Sequence, residues 1–395
     1  MHIGFLTSSY PRFAGDHAGC FVGELARSLQ ARGHHIEVCA PWDGKGPRRE
    51  SDSGVEVRRF RVTPPGIGSR LFYGDGAPEN LAASAIARAQ VPMAAAAFLA
   101  QAATRGPGWD AMVSHWLAPA GLAGAAVRRL GGPRHVSVMH GGDVDLLAAT
   151  AGGRVLARAA RPGLDRVLAV SESVAVRARA LLGNGAAGGT PAVDILPLPG
   201  AAIAHRPDHE EARQALGLPF AQPVALFLGR LAPIKGPGLL LSAAARVPEL
   251  TLLVSGPGES RHLAAAAKRL GARLHLTGPA DVELRELLFA AADLLVVPSL
   301  ALLHRREGLP QVAREAAARG LPIVAADTGG LPEAVAEGAG LLFRPGDPHD
   351  LARAMQRILA DRPGWTEQAR RAAAAGGQPT GERAALIVEE ALGVC

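Results

Sequence analysis

Short aliphatic runs alternate with Ala-, Leu- and Arg-rich stretches of helical period along this chain, and the whole alternation occurs twice. No other feature limits the fold as much. In the first half, residues 3–7, 36–40, 55–62, 111–115, 135–140, 167–171 and 193–196 read as strands, with helical stretches such as 18–31 and 118–130 between them. Strands that alternate with helices form a parallel, doubly wound sheet. Arg58, Arg59 and Arg61 put charge into one of these strands, which places it near a sheet edge. The pattern restarts at Pro223, with strands at 224–228, 250–255, 274–277, 294–298, 323–326 and 341–343. Helices are expected at 238–246, 260–270, 283–292, 311–319 and 348–359. Gly- and Pro-rich segments, 183–191 and then PLPGAAIAHRPD, bracket a hinge. The expected division is therefore 1–197 and 198–377, with an amphipathic helix inside 378–395 crossing back onto the first domain. The fold class is α/β, two doubly wound units facing a central cleft onto which the carboxyl ends of both sheets open.

A length of 395 residues suits two domains. Apolar residues make up 48% of the chain but aromatics only 4%, so Ala, Gly, Leu and Val must do the packing. The three cysteines, Cys20, Cys39 and Cys395, are scattered and odd in number. They indicate neither a disulfide framework nor a zinc site and suit a reducing cytosol. The opening MHIGFLTSSYPR has too short an apolar run for a signal peptide, and the Ala-rich stretch 91–103, interrupted by Pro92, is too short to span a bilayer. The net charge of +6 falls on the first half: residues 1–197 carry 21 Lys and Arg against 15 Asp and Glu, and the remainder carries 21 of each. Excess cation there suits an anionic acceptor or a membrane surface, and an arginine-rich composition alone would produce it too. Nothing in the pattern calls for a nucleic acid. Only three of the 42 cationic residues are lysines, Lys45, Lys235 and Lys268. Lysine kept among so many arginines marks a place where a compact ammonium matters.

The stretch VVPSLALLHRREGLPQVAREAA, 296–317, concentrates the chemistry. A strand runs into a basic loop that ends in Glu307-Gly308-Leu309-Pro310, where a helix begins, with Glu315 in its second turn. Pro310 suits the first helical position, since its missing N–H would be unpaired anyway. The helix start offers free N–H groups and a positive dipole end to an anion. Two carboxylates around such a point can hold neutral hydroxyls while the helix holds phosphate, a combination that suits a nucleotide-sugar. Taken alone, both glutamates also read as surface charges beside Arg305, Arg306 and Arg314.

Other motifs add to this. GRLAPIKG follows a strand: Gly229 lets a ligand approach the backbone, and Arg230 and Lys235, five apart, can neutralise a diphosphate. The GxxxxGK[ST] order of a P-loop is absent. Ser255-Gly256-Pro257-Gly258 is a strand-to-helix turn of the sort found beside nucleotides, and also common punctuation. In VSVMHGGDVD, His140 stands at the carboxyl end of a strand before two glycines, from where it could reach a ligand's hydroxyls. Asp143-Val144-Asp145 mimics a metal-binding DxD, but Asp143 reads as a helix N-cap or local support, and no metal is expected. Gly15 and Gly19 would allow close backbone contact in the loop after the first strand, which matches neither GxGxxG nor a Walker loop.

Together these residues resemble glycosyltransferase family 4, the retaining enzymes with two Rossmann-like domains in the GT-B arrangement. The resemblance spans essentially the whole chain. It is most specific in FLGRLAPIKG, LLVSGPG, REGLPQVAREAAARGLPIVAADTGGLPE and GLLFRPGDPHDLA, and continues in SHWLAPAG, MHGGDVDLL and VLAVSESV. It implies that Arg230 and Lys235 hold the donor diphosphate, with Gly229, the N–H groups near Gly308 and Leu309, and the Gly15 loop beside it. Glu307 and His140 would contact the donor sugar and Glu315 the ribose, leaving His140, Glu307, Arg230 and Lys235 as the catalytic set. The hinge reads ILPLPGA where the family has something closer to a Pro-Asn-Gly-Val-Asp turn, so the resemblance does not carry the acceptor-side geometry there. The loop 300–306, with its His-Arg-Arg run, is on the long side.

The function so implied is a metal-independent transfer of a hexose, with retention, from a UDP- or GDP-sugar to a hydroxyl of a glycan or lipid-linked acceptor. The nucleotide-sugar is then a substrate and no cofactor is needed. The expected location is the cytoplasm, including the inner face of the membrane. Two other readings share the motifs: a sugar-nucleotide epimerase, which needs no acceptor, and a non-catalytic sugar-nucleotide binder.

Overall fold

The computed structural model describes residues 1–13, 15–74, 76–183, 191–198, 205–258, 263–301, 306–375 and 380–394, and of residues 264–266 and 337 the backbone only. Most of the first hinge segment, half of the second, Glu259, His304, Arg305 and Cys395 therefore lie outside the described residues. The chain divides into two compact units, Met1–Pro199 with Pro379–Cys395, and Gly200–Gln378.

In the first unit the strands are β1 (His2–Thr7), β2 (His35–Pro41), β3 (Arg49–Asp52), β4 (Val55–Phe60), β5 (Ala111–His115), β6 (Arg134–Met139), β7 (Arg166–Ala169) and β8 (Val193–Ile195). They form one sheet in the order β3-β4-β2-β1-β5-β6-β7-β8, parallel throughout except that β3 runs antiparallel to β4. β1 is buried from Ile3 to Thr7, as a strand covered on both faces must be. Chain order reverses between β1 and β5, so the switch point of this sheet lies at their carboxyl ends.

The arginine-bearing β4 lies one strand in from the edge, and its charges are matched across the sheet. Arg58 pairs with the buried Glu37 on β2, and Arg59 with Glu50 on β3 at 2.6 Å. β3 itself, with the sequence RESD, has no aliphatic residue and no strand-like pattern; an edge strand exposing charge is also poorly suited to further pairing. The stretch broken by Pro92 is part of a 21-residue helix, Ala85–Arg105. Pro92 is exposed, where water can take the hydrogen bond its ring denies to the carbonyl four residues earlier. On the inner side Phe98 meets Phe60 edge-on at 4.9 Å, and Arg105 closes the helix with two hydrogen bonds, 3.0 and 2.9 Å, onto Glu37.

The helix Gly381–Leu392 buries Ala384, Ala385 and Val388 in the same core as Leu25 and Leu29 of the helix Cys20–Ala31. Its Glu389 accepts from Arg32 at 2.7 and 2.8 Å and lies 2.9 Å from His34 Nε2. The Arg32 guanidinium holds that carboxyl below the usual carboxylate range.

The second unit contains β9 (Val224–Leu228), β10 (Thr251–Ser255), β11 (Leu274–Gly278), β12 (Leu294–Val297), β13 (Ile323–Ala326) and β14 (Gly340–Phe343). All are parallel, in the order β11-β10-β9-β12-β13-β14. Every residue of β9, β10, β12 and β13 is buried, which explains their unbroken aliphatic runs. Here the order reverses between β9 and β12.

Candidate functional site

In the second unit the loops after β9 and β12 leave the sheet on either side of its switch point, and they touch. Pro233–Lys235 makes one tight turn ended by Gly236 at φ +69°, and a Cβ at Gly236 would lie 1.9 Å from the Pro298 carbonyl oxygen. Only glycine suits both that approach and that backbone conformation. The Leu300 N–H donates to the Ile234 carbonyl at 2.8 Å. With the loops joined, Lys235 Nζ stands 2.7 Å from Glu307 Oε1, both side chains being largely buried at 23% and 15% exposure.

The Gly-rich turn after β10 braces the first of these loops. Gly229 N–H donates to the Ser255 carbonyl at 2.9 Å and Leu231 N–H to that of Pro257 at 2.8 Å. A Cβ at Gly256 would fall 1.9 Å from the Gly229 carbonyl oxygen. Arg230 sits half-buried between these contacts. Glu307 is fixed from its other side by the turn after β13, where Gly330 N–H reaches the Glu307 carbonyl at 3.3 Å.

Pro310 precedes the helix rather than opening it. It is extended, at φ −60° and ψ 133°, and the helix runs from Gln311 to Ala318. The Pro310 carbonyl accepts from the Ala313 N–H at 3.1 Å, so the helix starts directly at the end of the EGLP segment. Glu315 is not a solvated helix charge: it is 3% exposed, and its Oε2 accepts from Arg285 Nε at 2.8 Å and also from Nη2. Arg314 precedes it in sequence, yet its partner comes from the helix Val282–Ala291.

Gly15 and His140 belong to the first unit. Gly15, at φ +83°, stands in the loop after β1. That loop is pinned by Arg12, whose Nε donates to Asp16 at 2.6 Å and whose guanidinium lies 4.6 Å from the Tyr73 ring centre. Burial would raise the Asp16 carboxyl, but Arg12 and the Ala18 N–H outweigh it and hold it below its ordinary value. His140 follows β6 directly and is half-buried, with Nε2 3.1 Å from Nδ1 of the buried His115. Its ring centre lies 4.4 Å from that of Trp116 and 5.0 Å from that of Phe21. Burial, with a smaller contribution from His115, keeps its pKa well below the usual histidine range.

Asp143 is local support and not the N-cap, a position that Gly141 takes for the helix Gly142–Ala148. Asp143 accepts from Leu117 N at 2.6 Å, His140 N at 3.1 Å and Gly141 N at 3.0 Å, so it fixes the backbone on which His140 is mounted. Burial raises its pKa against these hydrogen bonds. Asp145 pairs with Arg177, and among the described residues no group of three or more His, Cys, Asp or Glu is placed to hold a metal.

The structure thus unites Lys235 with Glu307 and mounts Gly229, Arg230, Gly308 and Leu309 on the same two loops. Sequence reasoning passed over Arg285 and His115. The available signal for His115 is a strand, Ala111–His115, that ends on Ser-His after three apolar residues, with Trp116 next.

Known proteins resemble this chain. Residues 18–199 match the family described as "Glycosyl transferase 4-like domain", and residues 222–361 match "Glycosyl transferases group 1". D-inositol 3-phosphate glycosyltransferase of Geodermatophilus obscurus is 33% identical over 392 residues, covering 92% of this chain and 82% of that protein. The protein of the same name from Nocardia farcinica is 38% identical over 187 residues, 43% of this chain and 40% of its own length. Among solved structures, sucrose-phosphate synthase from Thermosynechococcus elongatus has a TM-score of 0.78 at 24% identity, over 99% of this chain and 98% of that one. Anabaena HepE, solved in complex with UDP and glucose, has a TM-score of 0.72 at 20% identity over 100% of each. Those two likenesses bear on the fold, and the full-length relative and the two family matches bear on kinship. The chain belongs to glycosyltransferase family 4 and is an enzyme of the GT-B type.

Proposed function

We propose that this enzyme moves a hexose from a UDP- or GDP-sugar to an acceptor hydroxyl, with retention and without a metal. The observation that carries the reading is the Lys235–Glu307 pair at 2.7 Å, built where the loops after β9 and β12 meet at a switch point. In this scheme the acceptor oxygen bonds to the anomeric carbon while the bond from that carbon to the diphosphate breaks. The acceptor proton passes to a donor phosphate oxygen, so no carboxylate nucleophile is required. Lys235, Arg230, Gly229 and the N–H groups at Gly308 and Leu309 offset the charge that grows on the departing diphosphate. The Gly15 loop lies beside the phosphate as well, Glu307 and His140 hold sugar hydroxyls, and Glu315 holds the ribose.

The acceptor class follows two lines. The basic first half supports a glycan or lipid-linked acceptor met at the cytoplasmic face of a membrane. The full-length likeness to a D-inositol 3-phosphate glycosyltransferase supports a phosphorylated polyol instead. No helix among the described residues is long and apolar enough to cross a membrane, so association would be peripheral.

A panel of uridine- and guanosine-diphosphate sugars scored by thermal shift identifies the donor, because the tightest ligand stabilises most. Acceptor-dependent nucleotide release in EDTA, with inositol phosphate and lipid-linked acceptors in parallel, then tests the transfer. Conversion of the donor sugar without acceptor would make the enzyme an epimerase, and binding without any turnover would make it a binder. Sedimentation with anionic liposomes tests the membrane association; no binding at low salt rules it out.

A further inference from the structure

His115 ends β5 at the switch point of the first sheet, and nothing in the proposed reaction gives it a task. Its side chain is fully buried, one ring nitrogen faces His140, and the other, Nε2, is buried without a hydrogen-bond partner. Burial drives its pKa down to about 3 and that of His140 well below the usual range, so both rings are neutral at neutral pH. Two neutral imidazoles share a hydrogen bond only when one facing nitrogen carries a proton and the other a lone pair. The bond therefore couples the two tautomers, and because a proton on the buried, unpartnered Nε2 of His115 would be an unmet donor, Nδ1 of His115 carries the proton and Nε2 of His140 accepts it. A histidine open to water has no such constraint.

The backbone next to it points the same way. Trp116 is one of two non-glycine residues with positive φ among the described residues, at φ +66°. A bulky residue holds that conformation only where its surroundings impose it. Here it lays the indole against His140, with Phe21 also in contact.

We propose that His115 is a positioning residue for His140: through the Nδ1···Nε2 hydrogen bond it holds the His140 imidazole in one orientation and one tautomer. The outward nitrogen of His140 then meets a sugar hydroxyl with the same hydrogen-bonding character in every molecule. The value of this for the reaction rests on the reading of His140 as a sugar contact.

The experiment is 15N spectroscopy of histidine-labelled enzyme, with His140 assigned by His140→Gln, alongside steady-state kinetics. The wild type should show two well-separated His140 ring shifts of a single tautomer, unchanged between about pH 5.5 and 8. In His115→Phe those shifts should move toward the averaged pattern, with kcat down at least about tenfold and KM for the donor within about twofold. His115→Asn keeps a hydrogen-bonding atom near the position of Nδ1 and should recover most of the rate and the single-tautomer signature. Averaged or titrating His140 shifts in the wild type overturn the proposal, as does a folded His115→Phe enzyme with wild-type kcat. Should His115→Phe not fold, the wild-type spectrum and His115→Asn decide. A single-tautomer spectrum together with full activity in His140→Ala would instead sink the assigned role of His140 and leave the lock standing.

Discussion

The two units carry the same kind of sheet, and at the two switch points they are furnished in opposite ways. The second unit places charge there: a lysine and a carboxylate 2.7 Å apart, on loops that glycines allow to touch backbone to backbone. The first unit places neutral rings after β5 and β6, His115, Trp116 and His140 with Phe21 against them, and turns the carboxylate of Asp143 onto backbone N–H groups, while its Arg12–Asp16 pair pins the loop after β1. A site that must stabilise a leaving diphosphate needs fixed cations and dipoles. One that must orient an uncharged sugar is better served by a neutral ring with a hydrogen-bonding edge, since a cation there would compete for the phosphate. Fold alone does not separate these tasks; what stands after each strand does.

The largest test of that contrast compares the two switch points. Lys235→Ala should lower kcat by about 10²–10³, the range of losses when a charge-stabilising donor is removed, whereas His140→Ala should cost less. Steady-state kinetics would break the contrast by returning the reverse order.

Acid should also separate the units. His115 and His135 are buried with pKa values brought down by burial to about 3 and about 4, and His140 is lowered as well. These groups bind protons near pH 6.5 when unfolded and much lower when folded, so the unfolded chain takes up more protons in between. Their contribution is therefore complete above about pH 6.5 and falls as the pH drops, by up to about 1.4 kcal/mol per pH unit for each histidine. All three lie in the first unit. Hydrogen exchange at about pH 5 should show that unit opening first; earlier loss of protection at β9–β13 would contradict it.

Smaller effects sharpen the picture. Arg285→Ala frees the buried Glu315, and KM for the nucleotide-sugar should rise about tenfold with kcat nearly unchanged, as for loss of one charge-assisted hydrogen bond. An equal fall in kcat would assign Glu315 to the transition state. Smallest is Glu389→Gln, which removes the carboxylate facing Arg32 and His34. Denaturant unfolding should register about 1 kcal/mol, with no change in KM. A change in KM would tie the last helix to substrate binding.

Much of this architecture could be read from the chain, because parallel strands buried on both faces write themselves as aliphatic runs: VALFL, TLLVS and IVAA stand out unaided. β3 could not, since RESD carries only edge-strand charges, and the helix through Pro92 could not, since proline ordinarily ends a helix where its exposed face does not permit it. Lys235 and Glu307 were singled out separately, by the rarity of lysine and by the EGLP turn. That they meet depends on Gly236 passing Pro298, a contact between residues 62 positions apart. The buried pairings escaped for the same reason. Arg285 is 30 residues from Glu315 and His115 is 25 from His140, and no local pattern announces a partner at that distance. Pro310 stands one position before the helix it is expected to open, and of the two readings of Asp143 only local support holds, because cap geometry and not composition decides a helix start.

The helix Gly381–Leu392 belongs to the first unit although the whole of the second is threaded before it. On the ribosome, the first sheet is therefore made long before the helix that covers Leu25 and Leu29, and must wait while some 180 residues of another unit are synthesised. For that interval an apolar groove on the helix Cys20–Ala31 stays open to chaperones or to neighbouring nascent chains. This helix is thus a latch on a unit made well before it, and a chain stalled or clipped ahead of it would present that unlatched groove even with its other unit correctly folded.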